Sequence, residues 1–125
     1  MNPNARRTLT RKELVDLARA RFGPSTLDWK FRCPNCGDIA TTRDFQDALA
    51  AHPQSWPDGD PIVATALIAQ ECIGRTIGAL DNPKWTGRGC SWSAYGLFPG
   101  PWTVILESGK RVSSFPLAEP DGTAR

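Results

Sequence analysis

Histidine and long apolar runs are scarce in this chain of 125 residues, and its acidic and basic residues nearly balance. The single histidine, His52, has no second histidine with which to form a histidine-based catalytic or metal motif. The N-terminal residues MNPNARR contain no apolar signal region, and no later stretch is apolar enough to span a bilayer. Fifteen Lys and Arg against thirteen Asp and Glu give no general attraction to nucleic acid or to a membrane. We therefore expect a protein of a reducing cytosol, where disulfides are disfavoured.

Cysteine is also sparse, but two of the four cysteines have the spacing of metal ligands. Cys33 and Cys36 lie in residues 31–38, FRCPNCGD, and a Cys-x-x-Cys turn delivers two sulfurs to adjacent corners of a zinc tetrahedron. Pro34 presets one backbone angle of that turn, and Gly37 accepts the left-handed conformation that folds the chain back. We call residues 33–37 the knuckle, and we expect it to form one half of a structural zinc site.

The other two cysteines, Cys72 and Cys90, lie far downstream and complete the predicted set of four thiolate ligands. Other interpretations stay open. The four could form two disulfides, or Cys33 and Cys36 could be the nucleophile and resolving thiol of an oxidoreductase, or Cys72 and Cys90 could be buried as small apolar residues. His52 could also replace Cys72 as the fourth ligand, act as a general base, or simply end a helix.

Hydrophobic periodicity predicts two amphipathic helices. The first covers residues 11–22, begins at a capping box formed by Thr10 and Glu13, and ends at a Gly-Pro pair. The second begins at Thr41 or Thr42 and ends before Pro53. Between them, apolar residues alternate with polar ones over 27–32, which predicts a strand entering the knuckle, and residues 39–40 suit a short return strand.

The middle of the chain is the most apolar part. Residues 53–60 form a loop that carries Trp56, either as a lid over the core or as a contact residue. After Asp60 and Pro61, residues 62–69 are apolar nearly all round, which predicts a central buried helix. Glu71 and Arg75 lie one helical turn apart, and we expect them on a solvated helix face. An ion pair between them would stabilise the helix by only a few tenths of a kcal/mol.

Strand patterns dominate the last third. The glycine-rich loop 84–92 carries Trp85 and Arg88 and presents Cys90 to the metal, with Gly89 allowing a close backbone approach. Residues 92–98 have a strand pattern that stops at a Pro-Gly-Pro break. Alternation over residues 102–107, then a Ser-Gly turn and residues 110–115, predicts a hairpin.

These elements predict an α+β fold, a small zinc-ribbon-like domain with about three helices, an antiparallel sheet and a C-terminal β-hairpin. We expect residues 1–9 to be a flexible basic arm, residues 10–116 to be one zinc-stabilised domain, and residues 117–125 to be a flexible tail.

Three segments together resemble a family of small uncharacterised phage and prophage proteins: the knuckle within FRCPNCG, residues 70–75 (QECIGR), and residues 87–98 from GRGCSW to GLF. The resemblance covers most of the chain. It implies phage origin, action in the cytoplasm of a bacterial host and a metal-bound fold, and it implies no activity.

For function, we expect no enzyme but a zinc-stabilised adaptor or inhibitor that binds a host or phage macromolecule, since four cysteine ligands leave zinc no open position. The first alternative is nucleic-acid binding, and the second is the thiol oxidoreductase. No membrane partner is expected. The candidate partner-binding residues are surface arginines and tryptophans: Arg6, Arg7, Arg11, Trp56, Trp85 and Arg88.

Overall fold

The structure is a computed structural model that describes residues 5–94 and 100–120. Within these residues, five strands and four α-helices form an α+β domain. The strands are β1 (Arg7–Thr10), β2 (Phe31–Arg32), β3 (Ile39–Ala40), β4 (Trp102–Ile105) and β5 (Arg111–Ser114), and the helices are α1 (Arg11–Phe22), α2 (Thr42–Ala51), α3 (Ala64–Leu67) and α4 (Ile73–Thr76). The predicted strand pattern over 95–98 lies outside the described residues, as do the outer ends of the expected arm and tail.

The two long helices begin where their sequence signals lie. The Thr10 side chain accepts from the Glu13 backbone N–H at 3.1 Å, and the Glu13 carboxylate accepts from the Thr10 N–H at 2.8 Å. Thr41 and Asp44 exchange the equivalent pair of bonds at the start of α2. Because each box satisfies backbone donors that a helix start leaves free, both helices are specified locally. The predictions for these two helices are confirmed.

The first sheet is mixed, which corrects the expected antiparallel arrangement. Its strand order is β1-β4-β5, with β4 and β5 forming the predicted antiparallel hairpin and β1 running parallel to β4. Leu9 is only 4% exposed and faces the core together with Trp102 and Val104. Residues 7–9 therefore belong to the domain rather than to an arm, because an edge position beside β4 satisfies their backbone groups.

The second sheet consists of β2 and β3, the strands on either side of the knuckle. The entering strand is shorter than the alternation predicts, since Thr26–Asp28 form a 3-10 turn. Arg32, expected on the polar side, is 4% exposed. It is covered by the segment after β5, where the Arg32 N–H donates to the Pro116 carbonyl and the Ala118 N–H donates to the Lys30 carbonyl.

That covering segment corrects the C-terminal boundary. Leu117 and Ala118 are 3% and 0% exposed, and Leu117 bridges to Phe31. The Arg21 side chain also donates to the Ala118 carbonyl at 2.9 Å. Residues 117 and 118 are therefore part of the core rather than of a tail, because the backbone edge of β2 offers them hydrogen bonds and the core accepts their side chains.

The predicted central helix after Pro61 is wrong. The chain instead makes two single turns, α3 and α4, separated at residues 68–72. Ala69 adopts a positive φ of 68°, and its carbonyl accepts from the Phe115 N–H at 2.8 Å. An all-round apolar pattern indicates that a segment is buried, but it does not show that the segment is one continuous helix. Tertiary hydrogen bonds to the end of β5 decide where this segment turns.

Two apolar clusters share the interior. One joins α1, the mixed sheet, Trp29 and the C-terminal segment, and it includes Cys33 and Cys72. The other lies between α2, α3 and α4 around Phe45. Trp29 and Trp102 are core residues at 9% and 6% exposure. No helix of the described residues is long and apolar enough to cross a membrane.

The left-handed turn at Ala69 generates a prediction. A non-glycine residue in this conformation costs about 1–2 kcal/mol, so Ala69→Gly should change the free energy of unfolding by less than about 1 kcal/mol, relief of strain offsetting the added chain entropy. The same change at the helical Ala66 should destabilise by about 0.5–1 kcal/mol. Denaturant unfolding of both variants checks this, and greater destabilisation at residue 69 than at residue 66 would contradict it.

Candidate metal centre

The four cysteine sulfurs converge on one point of the fold. Their Sγ atoms all lie within 4.8 Å of one another, although they come from segments far apart in sequence. Cys33 Sγ lies 3.7 Å from Cys90 Sγ, and Cys36 Sγ lies 3.6 Å from Cys72 Sγ. The prediction that these cysteines come together is therefore confirmed.

These separations fit a metal and not a disulfide. A tetrahedral ion with metal–sulfur bonds of about 2.3 Å requires sulfurs about 3.8 Å apart, whereas a disulfide requires about 2.05 Å. The two short edges match the tetrahedral value, and all four cysteines are free thiols. The arrangement can hold one metal ion, with Cys33, Cys36, Cys72 and Cys90 as the ligands; we call them the thiol cluster.

The knuckle is shaped by its own backbone. The Cys33 N–H donates to the Asp38 carbonyl at 2.8 Å, and the Gly37 N–H donates to the Cys33 carbonyl at 2.9 Å. Gly37 has a φ of 83°, as the turn prediction required. The chain then leaves the knuckle as strand β3 rather than as a helix, so Cys36 lacks the helical surroundings in which a redox dithiol usually lies.

The second half of the cluster departs from a zinc ribbon. Cys72 and Cys90 lie on two neighbouring chain segments, where the Cys72 N–H donates to the Trp92 carbonyl at 3.0 Å and Glu71 bridges to Ser93. Residues 73–89 separate the two ligands, and they contain α4 and a 3-10 turn instead of a second tight knuckle. The cluster thus has one ribbon-like half and one half built by tertiary pairing.

Two glycines allow these segments to meet. A Cβ on Gly89 would lie 2.6 Å from the Gly74 nitrogen and 2.8 Å from Cys72 Sγ. A Cβ on Gly74 would lie 2.5 Å from the Cys90 nitrogen. All three separations are shorter than real contacts, so the loop that presents Cys90 can lie against α4 only without these side chains, as the sequence predicted for Gly89.

Hydrogen-bond donors surround the sulfurs. The Cys90 N–H donates to Cys72 Sγ at 3.2 Å, and Cys90 Sγ accepts from the Asn35 side-chain amide at 3.4 Å and from the Trp92 N–H at 3.5 Å. Such donors stabilise a thiolate, which is the form that binds metal. Asn35 was not singled out in the sequence, although its position between the two knuckle cysteines could have indicated it.

Without a metal, the thiols of Cys36 and Cys72 favour their protonated forms. Burial raises the pKa of Cys36 to about 12, with the neighbouring Cys72 thiol adding to the rise. Hydrogen bonding to Cys33 and burial likewise raise the pKa of Cys72. A bound cation would reverse this preference, so metal binding must displace protons.

Arg88, a candidate partner-binding residue, is engaged within the domain. Its guanidinium contacts both carboxylate oxygens of Asp38 at 2.9 and 3.3 Å, the Ile39 carbonyl at 2.8 Å and the Asp44 carboxylate at 3.3 Å. This clamp ties the Cys90 loop to the knuckle and to the start of α2. No local pattern in the sequence indicates it, because the partners lie 44 to 50 positions away.

The other candidate partner-binding residues have different surroundings. Arg7 lies over the Trp102 ring at 5.3 Å, and Arg11 pairs with Glu107 at 3.3 Å on the surface. Trp85 is half-buried and donates to the Arg88 carbonyl at 3.1 Å. Arg6 borders a cleft beside β1, whereas Trp56 is 48% exposed.

His52 and the pair Glu71–Arg75 lie outside the set of clustered ligands. His52 caps the end of α2 and is exposed, so its expected alternative as fourth ligand has no support from the geometry. Glu71 is 6% exposed and lies 3.5 Å from Arg75. This corrects the expected solvated pair, because the Ser93 bridge draws residue 71 into the interior.

The fold and cluster together define an α+β domain with four clustered cysteines that could hold a metal ion. The chain belongs to the VVA0879-like family, whose model matches residues 10–118. That match covers most of the chain and all four cysteines, in agreement with the extent of the resemblance inferred from the motifs. No curated protein and no solved structure matches the chain.

Gly89 and Gly59 provide a matched pair of substitutions. Both have positive φ, but a Cβ on Gly59 would meet nothing within 4 Å. Gly89→Ala should lower the affinity for zinc at least about tenfold by forcing the Cys90 loop off α4, as expected when the support of metal ligands is disturbed. Gly59→Ala should cost only about 1–2 kcal/mol of stability and retain the metal. Competition with a chromogenic chelator measures both, and equal affinities would contradict the prediction.

The free energy of unfolding should depend on pH in opposite directions in the metal-free and the metal-loaded protein. The metal-free fold has a Cys36 pKa of about 12 against an ordinary 9.0. The contribution of this thiol to the free energy of unfolding is therefore fully present below pH 9 and is lost as pH rises toward 12. The metal-loaded fold should lose stability as pH falls from about 7 to about 5, because protons compete for the sulfurs. Denaturant midpoints across about pH 5–11 check this, and a metal-free form that gains stability above pH 9 would contradict it.

Proposed function

We propose that this protein is a zinc-stabilised binding protein, an adaptor or inhibitor that contacts a host or phage macromolecule while the metal holds its shape. The observation that carries the proposal is the pair of sulfur–sulfur separations of 3.7 and 3.6 Å within the thiol cluster. They match the tetrahedron that four thiolates form around zinc.

The ligand set favours a structural role for the metal. Four protein ligands saturate a tetrahedral zinc, so no position remains for the water that a catalytic zinc activates. Tetrahedral tetrathiolate sites also suit iron, and the compact, N–H-rich surroundings of the sulfurs accommodate either. Zinc is proposed because it needs no redox partner and because four-cysteine zinc sites stabilise small domains.

Burial disfavours the thiol oxidoreductase. Its nucleophile would be Cys33, which is 2% exposed and packs in the main apolar cluster. Its resolving thiol would be Cys36, which is exposed, but desolvation beside the other sulfurs raises the pKa of Cys36 to about 12, whereas reactive thiols have lowered pKa values. A disulfide substrate could not reach the first thiol without opening the domain.

One observation favours nucleic acid as a second candidate partner. Arg6 and Arg7 border a cleft of about 460 Å³ whose lining residues include Thr8, Thr103 and Ser113. Guanidinium and hydroxyl groups are typical phosphate contacts. The net charge of only +2 and the inward engagement of Arg88 place this candidate second. The phage and prophage resemblance supports the cytoplasm of a bacterial host as the place of action.

Metal analysis tests the proposal. Purified protein should contain one zinc per chain, unfold at a lower denaturant concentration on chelation, and give the absorption bands of a tetrahedral thiolate site when reconstituted with cobalt. Cys72→Ser should lose the metal because it removes one of four ligands, whereas the control His52→Ala should retain it. Zinc retained by Cys72→Ser and lost by His52→Ala, or iron in place of zinc, would contradict the proposal.

A further inference from the structure

A groove on the side of the domain formed by residues 54–80 has no part in the metal centre. It has a volume of about 370 Å³ and is lined by Trp56, Ile62, Leu67, Leu80 and the polar residues Gln54 and Arg75, among others. We propose that this apolar groove binds a peptide segment of a protein partner that combines aliphatic or aromatic side chains with lysine or arginine. The inference rests on the proposed binding function and names the surface and chemistry of the partner.

Exposed apolar side chains concentrate at this groove. Among the described residues, the large hydrophobic side chains that stay exposed are Trp56 at 48%, Val63 at 55% and Leu80 at 57%. Trp56 and Leu80 line the groove, and Val63 directly follows its lining residue Ile62. Clustered exposed apolar residues, with a tryptophan among them, are typical of protein-binding surfaces.

The walls are held in place without a partner. The Trp56 N–H donates to the Asp60 carbonyl, and the Gly59 N–H donates to the Trp56 carbonyl, both at 2.8 Å. The Gln54 side chain donates to the Thr76 carbonyl at 2.9 Å, which fixes the loop to α4. A groove with a hydrogen-bonded frame loses little entropy on binding, so a short segment can bind it.

Charge complementarity selects a basic partner. Residues 53–81 contain four acidic residues and one arginine, a net charge of −3, whereas the whole chain has +2 and the remainder therefore +5. Asp58 and Asp60 are exposed in the same loop as Trp56, and exposed Asp81 follows Leu80. The groove thus lies in an acidic region of an otherwise basic chain, which attracts cations and repels acidic peptides.

The floor of the groove contributes shape rather than charge. Glu71 is 6% exposed and pairs with Arg75 at 3.5 Å, and Arg75 also donates to the Ser91 carbonyl at 2.9 Å. These opposite charges balance at the base. The floor therefore accepts apolar side chains, while the aspartates around Trp56 and Leu80 select for flanking basic ones.

Two synthetic peptides of matched apolar content test this. The first is acetyl-KLIKLLKK-amide, and the second has glutamate at every lysine. Titrated into zinc-loaded protein, the lysine peptide should shift the backbone amide signals of groove residues, and its affinity should fall as salt rises. The glutamate peptide should bind at least about tenfold more weakly, given like-charge repulsion at the rim.

Variants locate the binding surface. Trp56→Ala and Leu80→Ala should each weaken the lysine peptide about tenfold or more, as expected for central contacts. Asp60→Asn, in the loop that carries Trp56, should weaken it severalfold, whereas the control Asp47→Asn, an exposed aspartate on α2 outside the acidic segment 53–81, should not. Zinc content and the unfolding midpoint are measured for every variant, so loss of binding with zinc retained bears on the groove alone and leaves the proposed metal role intact.

Three results would overturn the inference. Equal affinity for both peptides would show that the protein does not select for basic residues. Unchanged affinity of Trp56→Ala for the lysine peptide would show that the groove is not the binding site. A concentration-dependent dimer that Trp56→Ala abolishes would make a second copy of the chain the occupant instead of a different protein. If the protein contains no zinc yet binds the lysine peptide at these residues, the groove stands and the proposed metal role fails.

Discussion

The convergence of four sulfurs is the constraint on which the rest of this structure depends. They join the knuckle, the start of α4 and the loop before Trp92, which no continuous strand or helix among the described residues connects. Structural zinc contributes about 10–16 kcal/mol of apparent binding free energy in small domains, as much as the whole free energy of unfolding of a typical protein, about 5–15 kcal/mol. An ion bound here would therefore contribute a large share of the free energy of unfolding. Cys33 and Cys72 pack in the main apolar cluster, so an ion bound by them would lie against the core.

Sequence reasoning succeeded where a signal and its structure lie within a few residues. The capping box at Thr10, the turn at Gly37 and the hairpin of β4 and β5 are local, and each was predicted correctly. It failed where contacts with segments far away in the sequence determine the local structure. The parallel pairing of β1 with β4 and the bend at Ala69 depend on partners across the fold, so the pattern of residues 62–69 could indicate burial without showing the break.

The candidate site shows the same division between residue type and direction. The convergence of the four cysteines followed from their number and spacing, but the side-chain directions of arginine and tryptophan did not. Arg88 turns inward to Asp38 and Asp44, whereas Trp56 stays at the surface, although both lie in polar, glycine-containing loops. Charged partners far away in the sequence set the direction of the Arg88 side chain. Trp56 stays exposed because no segment among the described residues lies over it. The local sequence pattern predicts neither side-chain direction.

The parallel pairing of Arg7–Thr10 with Trp102–Ile105 has a consequence for how the protein is made. A ribosome produces residue 90 before residue 102, so every sulfur ligand exists while the first strand still lacks its neighbour. Arg7 and Trp102 are about 95 positions apart, so the pairing of β1 with β4 closes a long loop, and long-range pairings of this kind form slowly. We therefore expect the edge strand β1 to pair after the four cysteines have come together.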